Sequence, residues 1–173
     1  MDFHQTTRIH LIAQIEFVIS ARYADFTTAF ESLLGRMDAQ SFEDLPWMSP
    51  EAARARLQSV VGPLDFTLFQ KLDHGAIVRS LYQREARATT YVFGNALIAV
   101  EMTKHDLRTG LYVPLRLIVE QVEEGLLRVT YDRPSSLMAP LGSSAVNAVA
   151  QDLDVKVERL LDAVIDRAQA AHG

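Results

Sequence analysis

Between residues 9 and 19 apolar and polar side chains take turns: Ile9, Leu11, Ala13, Ile15, Phe17 and Ile19 on one side, His10, Gln14 and Glu16 with the preceding Arg8 on the other. A period of two over that length predicts a half-buried strand. The period then changes. Phe26, Phe30, Leu33, Leu34 and Met37 recur at helical spacing behind Asp25, a residue type suited to capping, so a helix is expected over 26–37. Residues 38–48 have no period and read as a loop. Ser49-Pro50-Glu51 then opens a second helix: a capping hydroxyl, a proline where its missing N–H costs nothing, and an acid by the positive dipole end. Ala53, Leu57, Val60 and Val61 form its inward stripe, and Gly62-Pro63 ends it.

Shorter elements follow. Residues 64–72 read as a strand, 74–82 as a short helix, and 89–93, aromatic and β-branched, as another strand. Gly94-Asn95 breaks that strand, and 96–102 reads as a short helix capped by Asn95. Residues 113–122 and 126–132 flank Glu123-Glu124-Gly125, a hairpin with glycine at the left-handed position. Pro114 marks a strand end or edge, because proline cannot donate to the ladder. The clearest helix spans 143–168: Val146, Val149, Leu153, Val157, Leu160, Leu161, Val164, Ile165 and Ala168 make one stripe, with Asp152, Lys156, Arg159 and Asp162 opposite. The sum is an α/β fold of the α+β kind. It is a two-layer sandwich with a mostly antiparallel sheet in β-α-β(4)-α order, an added N-terminal helix and a long C-terminal helix. No repeat or linker interrupts it, so 1–173 reads as a single domain.

Composition narrows the partners. Of 173 residues, 49% are hydrophobic and 23% charged, an ordinary globular balance. The net charge of -5 lacks the electrostatic term that dominates nucleic-acid affinity, so no nucleic-acid partner is expected. Cysteine is absent, which removes disulfides, thiol nucleophiles and thiolate metal sites together. The segment M-D-F-H-Q-T-T-R has no basic region leading into an apolar run. The apolar stretch 9–19 is broken by His10, Gln14 and Glu16 and is shorter than the ~20 residues a bilayer requires. A soluble, cytoplasmic protein without a membrane partner is the expectation.

Candidate chemistry lies in polar clusters at element ends. His105-Asp106 offers a histidine that titrates near neutrality, though neighbours in sequence point apart, and the alternative is a helix end with Asp106 capping the next turn. Asp73-His74-Gly75 follows a strand and serves equally as a site or as a turn held by Asp73. Arg116 falls on one strand face with Pro114, Ile118 and Glu120, able to bind a carboxylate or phosphate, or else to pair with Asp132 or Glu120. Tyr131-Asp132-Arg133-Pro134-Ser135-Ser136 ends the last strand; a serine nucleophile there needs a base and an oxyanion hole that the sequence does not display. Two histidines with Asp132 lack metal-ligand spacing, so no metal or other cofactor is expected. Tyr91, Phe93, Tyr112 and Tyr131 read as core packing rather than as a stacking platform. No nucleophile elbow, phosphate loop or dinucleotide fingerprint occurs.

The ordered set L-D-H-G, G-N-A-L after an aromatic strand, M-T-K-H-D, G-L-Y-V-P-L-R and Y-D-R-P-S-S resembles the DUF302 family over residues 52–164. Ala96 stands where many members have proline. The resemblance implies a two-layer fold similar in outline to a TATA-binding-protein half, and implies no activity. Two functions remain open. One is a module that binds a small ligand, such as an anion, or associates with itself as a dimer, its site drawn from His74, Asn95, His105, Asp106, Arg116, Tyr131, Asp132 and Ser135. The other is a small enzyme with His74 or His105 as acid/base and Arg116 and Asp132 in support.

Overall fold

A computed structural model describes residues 3–37 and 42–171. Strand β1 (Gln14–Ser20) leads into α1 (Tyr23–Ser32), a two-residue strand β2 (Gly35–Arg36) and α2 (Pro50–Ser59). Next come β3 (Thr67–Asp73), α3 (His74–Tyr82), β4 (Ala88–Gly94) and α4 (Ala96–Thr103). A hairpin of β5 (Leu115–Glu123) and β6 (Leu126–Asp132) follows, then a short α5 (Pro134–Met138) and the long α6 (Ser144–Ala170). The strands form one six-stranded sheet in the order β1-β6-β5-β4-β3-β2, antiparallel except for β2 beside β3. A mixed α/β fold with a mostly antiparallel sheet and a long C-terminal helix is therefore what the chain adopts.

The sheet has two unlike faces. Tyr91, Phe93, Leu115, Leu117, Val119, Leu127 and Val129 are buried on one face under α1 and α6. Alternation turns Val92, Arg116, Ile118, Glu120, Arg128 and Thr130 to the other face, where each is exposed or half-buried. The stripe of α6 closes the core: Val146, Ala150, Leu153, Val157, Leu160, Leu161, Val164 and Ala168 are all buried. Such a stripe supplies most of a helix's stability, which propensity alone does not.

Several boundaries differ from the sequence pattern, each for a non-local reason. The alternation over 9–19 yields a strand only from Gln14, because β6 ends at Asp132, the residue paired with Gln14. Ile9 and Leu11 are consequently 94% and 97% exposed. Helix α1 begins at Tyr23 with Arg22 in the cap position, and Asp25 sits in its first turn bonded to Arg22 at 2.6 Å. It stops at Ser32 rather than Met37 because the chain must turn into β2. There Gly35 packs so tightly on the Gly62 corner that a Cβ would lie 1.9 Å from the Val60 carbonyl oxygen. No residue of α2 is buried; Ala53 and Leu57 are only half-covered. Of the expected loop, 38–41 lie outside the described residues, and Leu45–Trp47 form a 3-10 turn.

Candidate functional site

The two ends of the sheet are built differently, and the polar clusters are divided between them. Register fixes the division. Gly94 of β4 pairs with Thr67, and Asp73 pairs with Thr89, so His74 lies at the opposite end of the sheet from Asn95. Arg116 pairs with Val92 and therefore belongs to the Asn95 end, as does Asp132 beyond the Leu117–Tyr131 pair.

Local capping occupies several of these side chains. Asn95 Oδ1 accepts from the backbone N–H groups of Leu97 and Ile98 at 2.8 and 3.3 Å, and its Nδ2 donates to the Asp65 carbonyl at 2.9 Å. Asp73 caps α3 by accepting from Ala76 N–H at 2.8 Å. Asp106 caps the 3-10 turn Leu107–Leu111, accepting from Arg108 N–H at 2.9 Å. The Arg108 guanidinium grips the same carboxylate through both oxygens and holds Asp106 below the usual carboxylate range. Asp106 thus orients Arg108 and the turn, not His105. Both His74 and His105 are exposed, and neither side chain has an acid hydrogen-bonded to it.

The last cluster is drawn into the fold as well. Tyr131 is buried and stacks on Phe17 with ring centroids 6.4 Å apart; burial pushes its hydroxyl up to about 12, with Glu158 adding to the rise. Ser135 donates its hydroxyl to Asp154 Oδ2 at 2.5 Å and its N–H to Oδ1 at 2.9 Å, which fastens α5 to α6. A serine whose proton is held by a carboxylate on a packed helix is an anchor.

Arg116 is the exception. It is exposed on the open face and makes no hydrogen bond or ion pair among the described residues. The expected pairing with Asp132 or Glu120 is absent because both acids have other partners: Asp132 accepts from Gln14 Nε2 at 3.2 Å, and Glu120 takes Arg128 at 2.8 Å.

Beside Arg116 lies a feature that no sequence motif marks. A cavity of about 170 Å³ opens where β4 passes into α4, lined by Phe42, Phe69, Gly94, Ile98, Met102 and Pro114 among others. Leu153 of α6 reaches it from the helix layer. Asn95 is its one strongly polar lining side chain, and Asn95 is already engaged by the cap. Phe69 comes into the lining through a register shift between Leu68 and Gln70, which lets an extra residue bulge from β3. Gly94 keeps the wall open, since a Cβ there would touch Phe69 at 3.5 Å and Pro114 at 3.6 Å. Arg116 follows the lining residue Leu115 in β5, and alternation turns it to the open face, so cavity and guanidinium share the Gly94 end of the sheet.

The middle of the sheet holds a charged network instead. Tyr91, fully buried, donates its hydroxyl to Glu31 Oε1 at 2.9 Å, and Lys71 Nζ reaches the same oxygen at 2.6 Å. Arg36 adds a contact to Oε2 at 3.3 Å. Burial alone would raise Glu31, but Lys71, Tyr91 and Arg36 outweigh it and hold the carboxyl below its ordinary value. Nearby Tyr23 donates to Thr89 Oγ1 at 2.7 Å and borders a polar groove with Arg22, Glu85, Arg87 and Gln121. These partners lie 40 to 66 positions apart in the chain, so no local pattern reveals them. Among the described residues no three His, Asp or Glu side chains gather as a metal ion would need, and no helix is long and apolar enough to cross a membrane.

Comparison with known proteins agrees with this architecture. The family model for "Domain of unknown function DUF302" matches residues 44–164. Both edge strands of the sheet, β1 and β2, precede that span. No curated protein matches the chain. Among solved structures, the crystal structure of an uncharacterised conserved DUF302 protein from Bacillus stearothermophilus superposes with a TM-score of 0.58 at 15% identity, over 90% of this chain and 97% of that one. At that identity the likeness concerns the fold alone. With a family model spanning more than half its length, and a sheet and helix layer like those of that relative, the chain belongs to the DUF302 family.

Proposed function

We propose that the domain binds a small molecule with an apolar body and an anionic head at the Gly94 end of the sheet. One observation carries the reading: an apolar cavity of about 170 Å³ and an arginine without a partner among the described residues lie at the same end of the sheet. Apolar cavities of roughly 150 Å³ admit a single aromatic ring, which sets the size of the body. An unpaired guanidinium on a strand supplies two parallel N–H donors suited to a carboxylate or phosphate. The capping bonds of Asn95 and the bulge at Phe69 give the cavity a rigid frame, so little ordering accompanies binding.

Benzoate and benzyl alcohol test the reading, since they share a ring and differ in charge. Binding to the folded state raises the melting temperature in proportion to occupancy. Benzoate is expected to raise it more than the alcohol does. Arg116→Leu should bring the two shifts together, and Ala99→Leu, which fills the cavity, should abolish both. The reading fails if neither compound shifts the melting temperature, or if the benzoate shift survives both substitutions.

A further inference from the structure

The two edges of the sheet are treated unequally. At one edge β2 is two residues long, and shortness is a standard way to blunt an edge. At the other, β1 presents seven residues with no proline and no lysine, and its outer side has no strand beside it. The chain ahead of β1 extends the exposure. Residues 3–12 make no backbone hydrogen bond among the described residues, and the first tie is at Ala13, whose carbonyl accepts from Arg133 N–H. Yet this arm carries the same alternation as the strand it leads into, with Phe3, Ile9 and Leu11 each more than four-fifths exposed. An alternating apolar arm continuous with an open strand edge is half of a β-ladder.

We propose that the missing half is a second copy of this chain, with arm and β1 pairing antiparallel across a twofold axis at Gln14. The sequence is self-complementary about that point. In an antiparallel ladder directly opposed residues share a face, so partners whose numbers sum to 28 meet. Ile9 then faces Ile19 of the second copy, Leu11 faces Phe17, and Ala13 faces Ile15: apolar against apolar at every step on the helix-covered side. Charge agrees with the same register. Arg8 and His10 lie before the axis and Glu16 after it, so each basic half runs along an acidic half, and His10 is a diagonal neighbour of Glu16. The two sheets become one, both long edges disappear, and the exposed arm is covered. All of this lies ahead of the span matched by the family model. It is also independent of the ligand cavity, which sits at the β4–α4 junction.

The chain has no cysteine, which makes the register directly testable. Gln14→Cys places a thiol opposite its own copy, so mild oxidation should give a covalent dimer rapidly. Ile12→Cys faces position 16 and should cross-link far more slowly. Sedimentation of the wild type should show a species of twice 19.3 kDa. Leu11→Asp should return it to the monomer, with the melting temperature of the wild type diluted until it is monomeric, since Leu11 is 97% exposed in the single chain. A wild type that remains monomeric at its highest soluble concentration overturns the proposal. So does a dimer that survives Leu11→Asp, or equal cross-linking of the two cysteine variants. A Leu11→Asp monomer less stable than the wild-type monomer at the same dilution would place the arm on its own sheet, which also overturns it.

Discussion

Around Gly94 and α4, polar side chains are spent on the backbone beside them; around Glu31, midway along the sheet, they are spent on one another. Asn95 satisfies the first amides of α4 and the Asp65 carbonyl, and Asp106 satisfies the turn after α4, so little polar remains to line the space between. What is left is an apolar cavity, with an arginine that has no partner among the described residues at the same end of the sheet. Midway along the sheet Glu31, Lys71 and Tyr91 tie α1, β3 and β4 together around a carboxylate. The difference separates two roles that look alike in a sequence. A polar residue that caps its own helix leaves a rigid recess behind it. A polar residue that reaches across elements holds the layers in place.

The strongest way to break the comparison is to remove the layer on which both regions rest. Leu160 is fully buried in the α6 stripe, and Leu160→Ala should lower stability by about 2–5 kcal/mol by denaturant midpoint, without affecting the cavity. Leu153→Ala should fall in the same range of about 2–5 kcal/mol. Leu153 also lines the cavity, so its removal should let a larger ring bind than the wild type accepts. A Leu153→Ala variant that binds only what the wild type binds would mean that the cavity does not reach α6.

The next test separates the two regions by pH. Glu31 is held below its ordinary value of 4.5, so its contribution is fully present above that pH and is lost as pH falls toward its lower folded value. Glu31→Gln should therefore be less stable than wild type at neutrality, by about 1–2 kcal/mol because its cations are partly solvated, and the gap should close below pH 4.5. Asn95→Ala in the other region removes an uncharged cap and should cost about 0.5–2 kcal/mol at either pH. Equal pH dependence in the two variants would dissolve the distinction between a network region and a capped region.

How far the sequence reveals this follows from what each feature depends on. Ser49, Asp73, Asn95 and Asp106 cap as their local pattern implies, because a cap needs only the next three residues, whereas Asp25 gives up the cap position to Arg22. The stripe of α6 is legible for the same reason. β2 is not, since it exists only because the Gly62 corner approaches Gly35 from a distant part of the chain. The start of β1 is hidden likewise, being set by where β6 stops. For the site, the clusters that look chemical are mostly caps and anchors, Ser135 included. The cavity depends on a bulge at Phe69 and on Leu153 arriving from the far end of the chain, and neither has a local signature.

The smallest expected effect is the most discriminating, and it compares two arginines on the open face. Arg128 pairs with Glu120 at 2.8 Å and with Glu16 at 3.4 Å, joining β6 to both of its neighbours. Those groups are 39–53% exposed, so each pair is worth only about 0–1 kcal/mol. Arg128→Leu should therefore cost a fraction of a kilocalorie to about 1 kcal/mol, and less at high salt. Arg116 has no such partner, and Arg116→Leu should alter stability by no more than about 0.5 kcal/mol in either direction, the range for surface positions free of special contacts. Had Arg116 been the buried partner of Asp132 or Glu120, its loss would instead strand a carboxylate at a cost of about 3–5 kcal/mol. Denaturant midpoints at low and high salt measure all three outcomes. A near-zero change for Arg116→Leu, beside a salt-sensitive loss for Arg128→Leu, leaves the positive charge of Arg116 without an internal role. The ligand series then decides whether that charge serves the cavity at the same end of the sheet.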